Sequence, residues 1–160
     1  MAAFLLLSFG AFLSLSNAQD AYDLLPETYR KGVDLALDKV NSHAGIQHHF
    51  NFYTSVTKSD VEPGFGVSFF YHHFYLKATK CPKGTTDPTS CSFRNDRPLI
   101  DCAVCYKMFR GEIEQEPRPY VHCIHRPAFT EEMKKERVNQ CNTMTYSNGA
   151  PSLLASIGNN

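Results

Sequence analysis

Two thiols three positions apart stand in the stretch IDCAVCYKMF, residues 100–109. Cys-x-x-Cys serves three chemistries: tetrahedral zinc, thiol–disulfide exchange and structural cross-linking. Histidines enlarge the ligand inventory, with His48-His49 and His72-His73 as neighbours and His122 and His125 flanking Cys123. A zinc ribbon needs a second Cys-x-x-Cys and a zinc protease needs His-Glu-x-x-His; the chain has neither. Adjacent histidines on a strand point to opposite faces, so each pair offers one ligand per face. No metal or cofactor is therefore expected, and the histidines read as solvated or cross-strand packing groups. A redox motif opens a helix in a βαβ unit, whereas the residues around Cys102 and Cys105 favour a strand. No Gly-x-Ser-x-Gly, phosphate-cradling glycine loop or Glu-x-x-His constellation occurs. A Cys/His nucleophile needs a spare thiol, and an even count of six cysteines leaves none. An enzyme is not expected.

Cross-linking remains, and strand geometry constrains it. On an extended backbone the Cα atoms of Cys102 and Cys105 lie roughly 10 Å apart, beyond the limit of about 7 Å for a disulfide. An odd separation also sends their side chains to opposite faces. The stretch has no Gly, Pro or Asn to fold it back, so each cysteine needs a different partner. Cys123 lies on the following strand and can face Cys102 across the ladder. Cys141 lies beyond a helical stretch and can return over the other face to Cys105. Cys81 and Cys91 then close the loop CPKGTTDPTSC. Three bridges are expected: Cys81–Cys91, Cys102–Cys123 and Cys105–Cys141.

The elements that position these residues follow from periodicity. The chain opens on MAAFLLLSFGAFLSLSNAQD, whose apolar run is short for a membrane span and is followed by small residues. This predicts a signal peptide over residues 1–18, cut between Ala18 and Gln19, with secretion and no membrane insertion. From Pro26, the apolar positions Leu25, Tyr29, Val33, Ala36, Leu37 and Val40 recur at helical steps. Pro26 suits the first turn, Gly45 offers a left-handed stop, and Gly32 offers close approach to a sheet. The period then becomes two: strands are expected over 49–56, 66–80, 98–109 and 120–126. The polar TKSDVEPGFG, with its Asp, Pro and Gly, is read as the first hairpin loop. Thr130 is a candidate cap for a short helical stretch, FTEEMKKERVNQ. One helix followed by strands predicts an α+β domain, a helix packed on a four- to five-stranded antiparallel sheet. Its expected core joins Tyr29, Val33, Leu37 and Val40 to Phe50, Phe52, Phe69 or Phe70, Phe74 and Val104.

The chain has 16 basic and 16 acidic residues. This balance argues against a nucleic-acid partner, which needs a basic face, and no N-glycosylation sequon occurs. A monomer is expected.

The helix RKGVDLALDKVNSH, the hairpin residues TSV, and the cysteine segments CPKGTTDPTSC, DCAVCYK, YVHC and NQC resemble the cystatin superfamily. Within it they are similar to a branch of secreted chemoattractants and adipokines, over roughly residues 24–141. That branch joins its cysteines first to second, third to fifth and fourth to sixth, in agreement with the pairing above. The resemblance implies a scaffold domain (19–141) and a signalling tail (142–160). In the branch, extracellular proteases trim the tail so that it engages G-protein-coupled receptors on leukocytes and adipocytes, in inflammation, adipogenesis and metabolism. The tail here, NTMTYSNGAPSLLASIGNN, has one aromatic residue and no charged side chain. No Lys or Arg follows Arg137, so trimming falls to elastase-like cutting after Ala150, Ala155 or Ser156. The apolar anchors on offer are Tyr146, Leu153, Leu154 and Ile157.

Two other functions of the superfamily fit less well. Inhibitory cystatins wedge an N-terminal Gly, a Gln-x-Val-x-Gly hairpin and a Pro-Trp hairpin into papain-like proteases. This chain has TSVTKSDVEPGFG at the first hairpin and no Trp. A cathelicidin-like precursor carries a cationic tail for anionic lipid, and this tail is uncharged. Lys134-Lys135, Arg94 and Arg97 read as solvated faces.

Overall fold

Tyr29, Val33, Ala36 and Val40 form one buried stripe, and the helix that carries it, α2, runs Glu27–Asn41, with Leu25 buried just ahead of it. In the computed structural model, which describes residues 18–147, α2 is preceded by a short helix, α1 (Ala18–Asp23). Five strands follow: β1 (His48–Gly64), β2 (Val67–Pro82), β3 (Ile100–Phe109), β4 (Glu112–Ile113) and β5 (Tyr120–His125). A last helix, α3, spans Glu131–Ser147. The sheet is antiparallel in the order β1-β2-β3, and both β4 and β5 pair with β3. Helices packed on a five-stranded antiparallel sheet with three disulfides make this an α+β fold of the cystatin type.

Alternation along β2 and β3 splits the sheet into two buried faces. Even-numbered residues (Phe70, Phe74, Leu76, Cys102, Val104, Tyr106) pack with α2, Phe50 and Phe52 in the main core. Odd-numbered residues (Phe69, Tyr71, Ala103, Cys105) pack with Cys141 and Met144 of α3. Phe70, not Phe69, therefore meets α2, and Leu37 is only partly buried against that core. Each large apolar side chain so covered contributes about 1.5–3 kcal/mol. Gly32 permits a close approach: a Cβ there would overlap the Tyr106 ring. The Tyr106 hydroxyl donates to Thr28 O at 2.6 Å, so helix and sheet touch by hydrogen bond as well as by packing.

Three local expectations are corrected. The stretch expected as the first hairpin loop is mostly strand, with Lys58, Ser59, Asp60 and Val61 in register with β2. The turn is only Gly64-Phe65-Gly66, and all three residues have positive φ. Along this stretch exposed Lys58 and Asp60 alternate with half-buried Ser59 and Val61, and Tyr29 Oη donates to Asp60 Oδ1 at 2.7 Å. Gly45 is not the left-handed stop: α2 ends through Ser42, whose N–H donates to Asp38 O, while the Gly45 N–H donates to His43 Nδ1. Third, α3 does not stop before Cys141 but continues through it to Ser147.

Candidate functional site

The features that could carry function gather where α3 crosses the odd-numbered face of the sheet. Thr130 starts the helix, accepting from the Met133 N–H at 3.2 Å, and Glu131 and Glu132 sit at its positive end. Arg137 and Cys141, one turn apart, both point at the sheet and are buried to within 2%. Cys141 bonds Cys105 with a Cα–Cα distance of 5.8 Å.

Arg137 is held on every side. Its Nη1 donates to Asp101 Oδ1, its Nη2 to the carbonyls of Asp101 and His122, and its Nε to His122 Nδ1 at 2.8 Å. The guanidinium lies 4.3 Å from the centre of the Phe129 ring. Asp101 also bonds His73 Nε2 at 3.0 Å. Burial pushes the Asp101 carboxyl up, but hydrogen bonds from His73 and Arg137 outweigh it and hold the pKa below the ordinary carboxylate value. Burial, then the charges of Arg137 and Lys39, lowers the His122 pKa. His122 is thus a neutral acceptor at Nδ1, and the cluster is a satisfied ion pair that pins α3.

The cysteines and histidines divide as follows. Cys102 bonds Cys123, its register partner on β5, on the α2 face. Cys81 bonds Cys91 across the loop that contains the short 3₁₀ turn Pro88–Ser90. All six cysteines are bonded. His72 and His73 take opposite faces, the first in the α2 core and the second beside Asp101. His48 meets Arg94, and His125 is exposed. His73 and His122 share the Asp101–Arg137 cluster, but among the described residues no three His, Cys, Asp or Glu side chains are grouped to hold a metal. Sequence reasoning missed Asp101 and Arg137. Their signals were an acid inside the apolar run LIDCAV and an Arg one helical turn before Cys141.

Beyond Cys141, Met144 and Thr145 are buried and Tyr146 is 69% exposed. Of the tail anchors and cutting positions, only Tyr146 falls among the described residues. Leu153, Leu154, Ile157, Ala150, Ala155 and Ser156 lie outside them, as does all of the expected signal peptide but Ala18. A groove of about 840 Å³ runs between α2, α3 and the chain entering β5, and Ser147 is among the residues that line it. Phe65 is fully exposed at the tip of the β1–β2 hairpin. Among the described residues no helix is long and apolar enough to cross a membrane.

No protein-family model matches the chain. It is similar over 151 residues, at 24% identity, to retinoic acid receptor responder protein 2 of Cricetulus griseus, the protein also called chemerin. The match covers 92% of this chain and 88% of that protein, which makes the two distant homologues.

Proposed function

We propose, from that homology, that the chain is a secreted chemerin-like signal: a chemoattractant and adipokine-type ligand of G-protein-coupled receptors, not a catalyst. In this reading residues 1–18 are removed, the domain over 19–141 is a scaffold, and proteases trim the segment 142–160. The observation that carries it is the likeness to chemerin along 92% of the chain. Two features of the fold support it. Three disulfides fit an oxidising, extracellular setting. In addition, α3 is stapled to the sheet just ahead of the tail, which would present that segment from a fixed point.

Tyr146, Leu153, Leu154 and Ile157 are the side chains proposed to enter the receptor; cutting after Ala155 or Ser156 keeps the first three and removes Ile157, whereas cutting after Ala150 keeps only Tyr146. A synthetic peptide of residues 142–156 is expected to raise calcium in cells bearing chemerin receptors. Silence at micromolar concentration would remove the tail from the account.

A second reading has one feature in its favour. Phe65, fully exposed between two glycines, stands at the hairpin that inhibitory cystatins push into papain-like proteases. The signalling reading expects no inhibition in a papain titration; stoichiometric inhibition, lost in Phe65→Ser, would establish the second instead.

A further inference from the structure

We propose that the groove between α2 and α3 is the seat of this chain's own segment 148–160, taking the side chains of Leu153, Leu154 and Ile157. The described chain arrives there directly. Gln140, Thr143, Met144 and Ser147 are spaced at three- and four-residue steps, so one face of α3 forms a wall and its last described residue lines the groove. Leu35 of α2, Pro117, Pro119 and Val121 line the groove with it, beside the charged side chains of Lys39 and Arg118. At about 840 Å³ the groove is within the range of sites that enclose several side chains.

The segment fits in reach and in chemistry. Gly149 and Pro151 follow α3 at once, the residue types that stop a helix and turn a chain. Leu153 is six positions past Ser147, a span of up to about 20 Å, enough to double back along α3. The segment carries no charged side chain, so docking strands no charge against Leu35, Val121 or Met144. One groove cation is already engaged, Lys39 Nζ donating to Val121 O at 2.7 Å. The walls are preformed, because α3 is fixed by Cys105–Cys141 and Arg137, and a rigid site avoids the ordering cost of a mobile one.

The docking itself stands on the groove. Only its regulatory consequence, that the docked anchors and cutting positions are withheld from receptor and protease, rests on the signalling reading. The test therefore uses the free protein, with neither receptor nor protease present. In methyl-labelled protein, nuclear Overhauser contacts should join Leu153, Leu154 or Ile157 to Leu35, Val121 or Met144. They should be independent of protein concentration and absent in the double variant Leu153→Asp, Leu154→Asp. Synthetic 148–160 added to a chain ending at Ser147 should shift the same groove methyls. No such contacts, together with no shifts at millimolar peptide, would overturn the proposal. So would contacts seen only between labelled and unlabelled copies, which would give the groove to a second molecule. Receptor silence would leave the docking untouched, and absent docking would leave the receptor reading untouched.

Discussion

His72 is a base enclosed where a proton is costly. Its ring lies 5.3 Å from Tyr29 and 4.6 Å from Phe74, its Nε2 bonds Ser55 Oγ at 2.8 Å, and its buried Nδ1 has no hydrogen-bond partner among the described residues. Burial, then the charges of Lys58 and His73, pushes its pKa down to about 3. The unfolded chain takes that proton near the ordinary value of 6.5. This contribution is therefore complete above about pH 6.5 and is lost as pH falls towards 3. At about 1.4 kcal/mol per pH unit, the step from pH 6.5 to 5 costs about 2 kcal/mol. Urea unfolding should show that loss in the wild type and a shallower pH slope in His72→Leu; equal slopes would contradict it. Arg137 gives a second prediction at this scale. Arg137→Met leaves the Asp101 carboxylate buried without its main counter-charge and should cost about 3–5 kcal/mol. Adding Asp101→Leu should recover part of that, read from the same urea midpoints. The sequence showed that His72 and His73 must part company, since parity on a strand decides it. It did not show that His72 would be the buried one, because burial depends on which face meets α2.

At the scale of elements, Gly32 and Tyr106 set how closely α2 approaches the sheet. Gly32→Ala improves helix propensity by about 1 kcal/mol. Its Cβ, however, meets a ring stacked on Phe70 at 5.4 Å and anchored to Thr28 O, so the ring cannot swing away. A net loss of about 1–3 kcal/mol is expected in thermal or urea unfolding, with partial rescue by Tyr106→Leu; a stabilised Gly32→Ala would mean that the helix rides higher. The Cys105–Cys141 bridge closes 36 positions. Replacing both cysteines with serine should cost about 4 kcal/mol by loop entropy, with amide-exchange protection falling in α3 before it falls in β2 and β3. The helix α2 and the strand that carries Cys102 and Cys105 were legible from periodicity alone. The long β1 was not, because an edge strand keeps one side polar, and Lys58, Ser59 and Asp60 read as loop. Nor was the full α3. Asn139, Asn142, Thr143 and Thr145 are poor helix formers, held helical by the Cys141 tether and the burial of Met144.

Over the whole molecule, the sheet is covered on both faces: α2 over the even-numbered side chains, α3 over the odd. The two faces divide the cysteines of IDCAVCYKMF between them, Cys102 bonding within the sheet and Cys105 reaching the last helix. That arrangement was readable because an extended backbone separates positions 102 and 105. The ion pair that completes the α3 anchor was not, because Asp101 and Arg137 are 36 positions apart and neither belongs to a recognisable motif. A scaffold of this kind does its work through what it presents, and the account places that at the segment beyond α3. The most direct measurement is calcium flux in cells bearing chemerin receptors, comparing the full chain, a chain ending at Ser156 and a chain ending at Ser147. The account predicts the strongest response from the chain ending at Ser156, a weaker one from the full chain and none from the chain ending at Ser147. Equal responses from all three, or silence from all three, would contradict it.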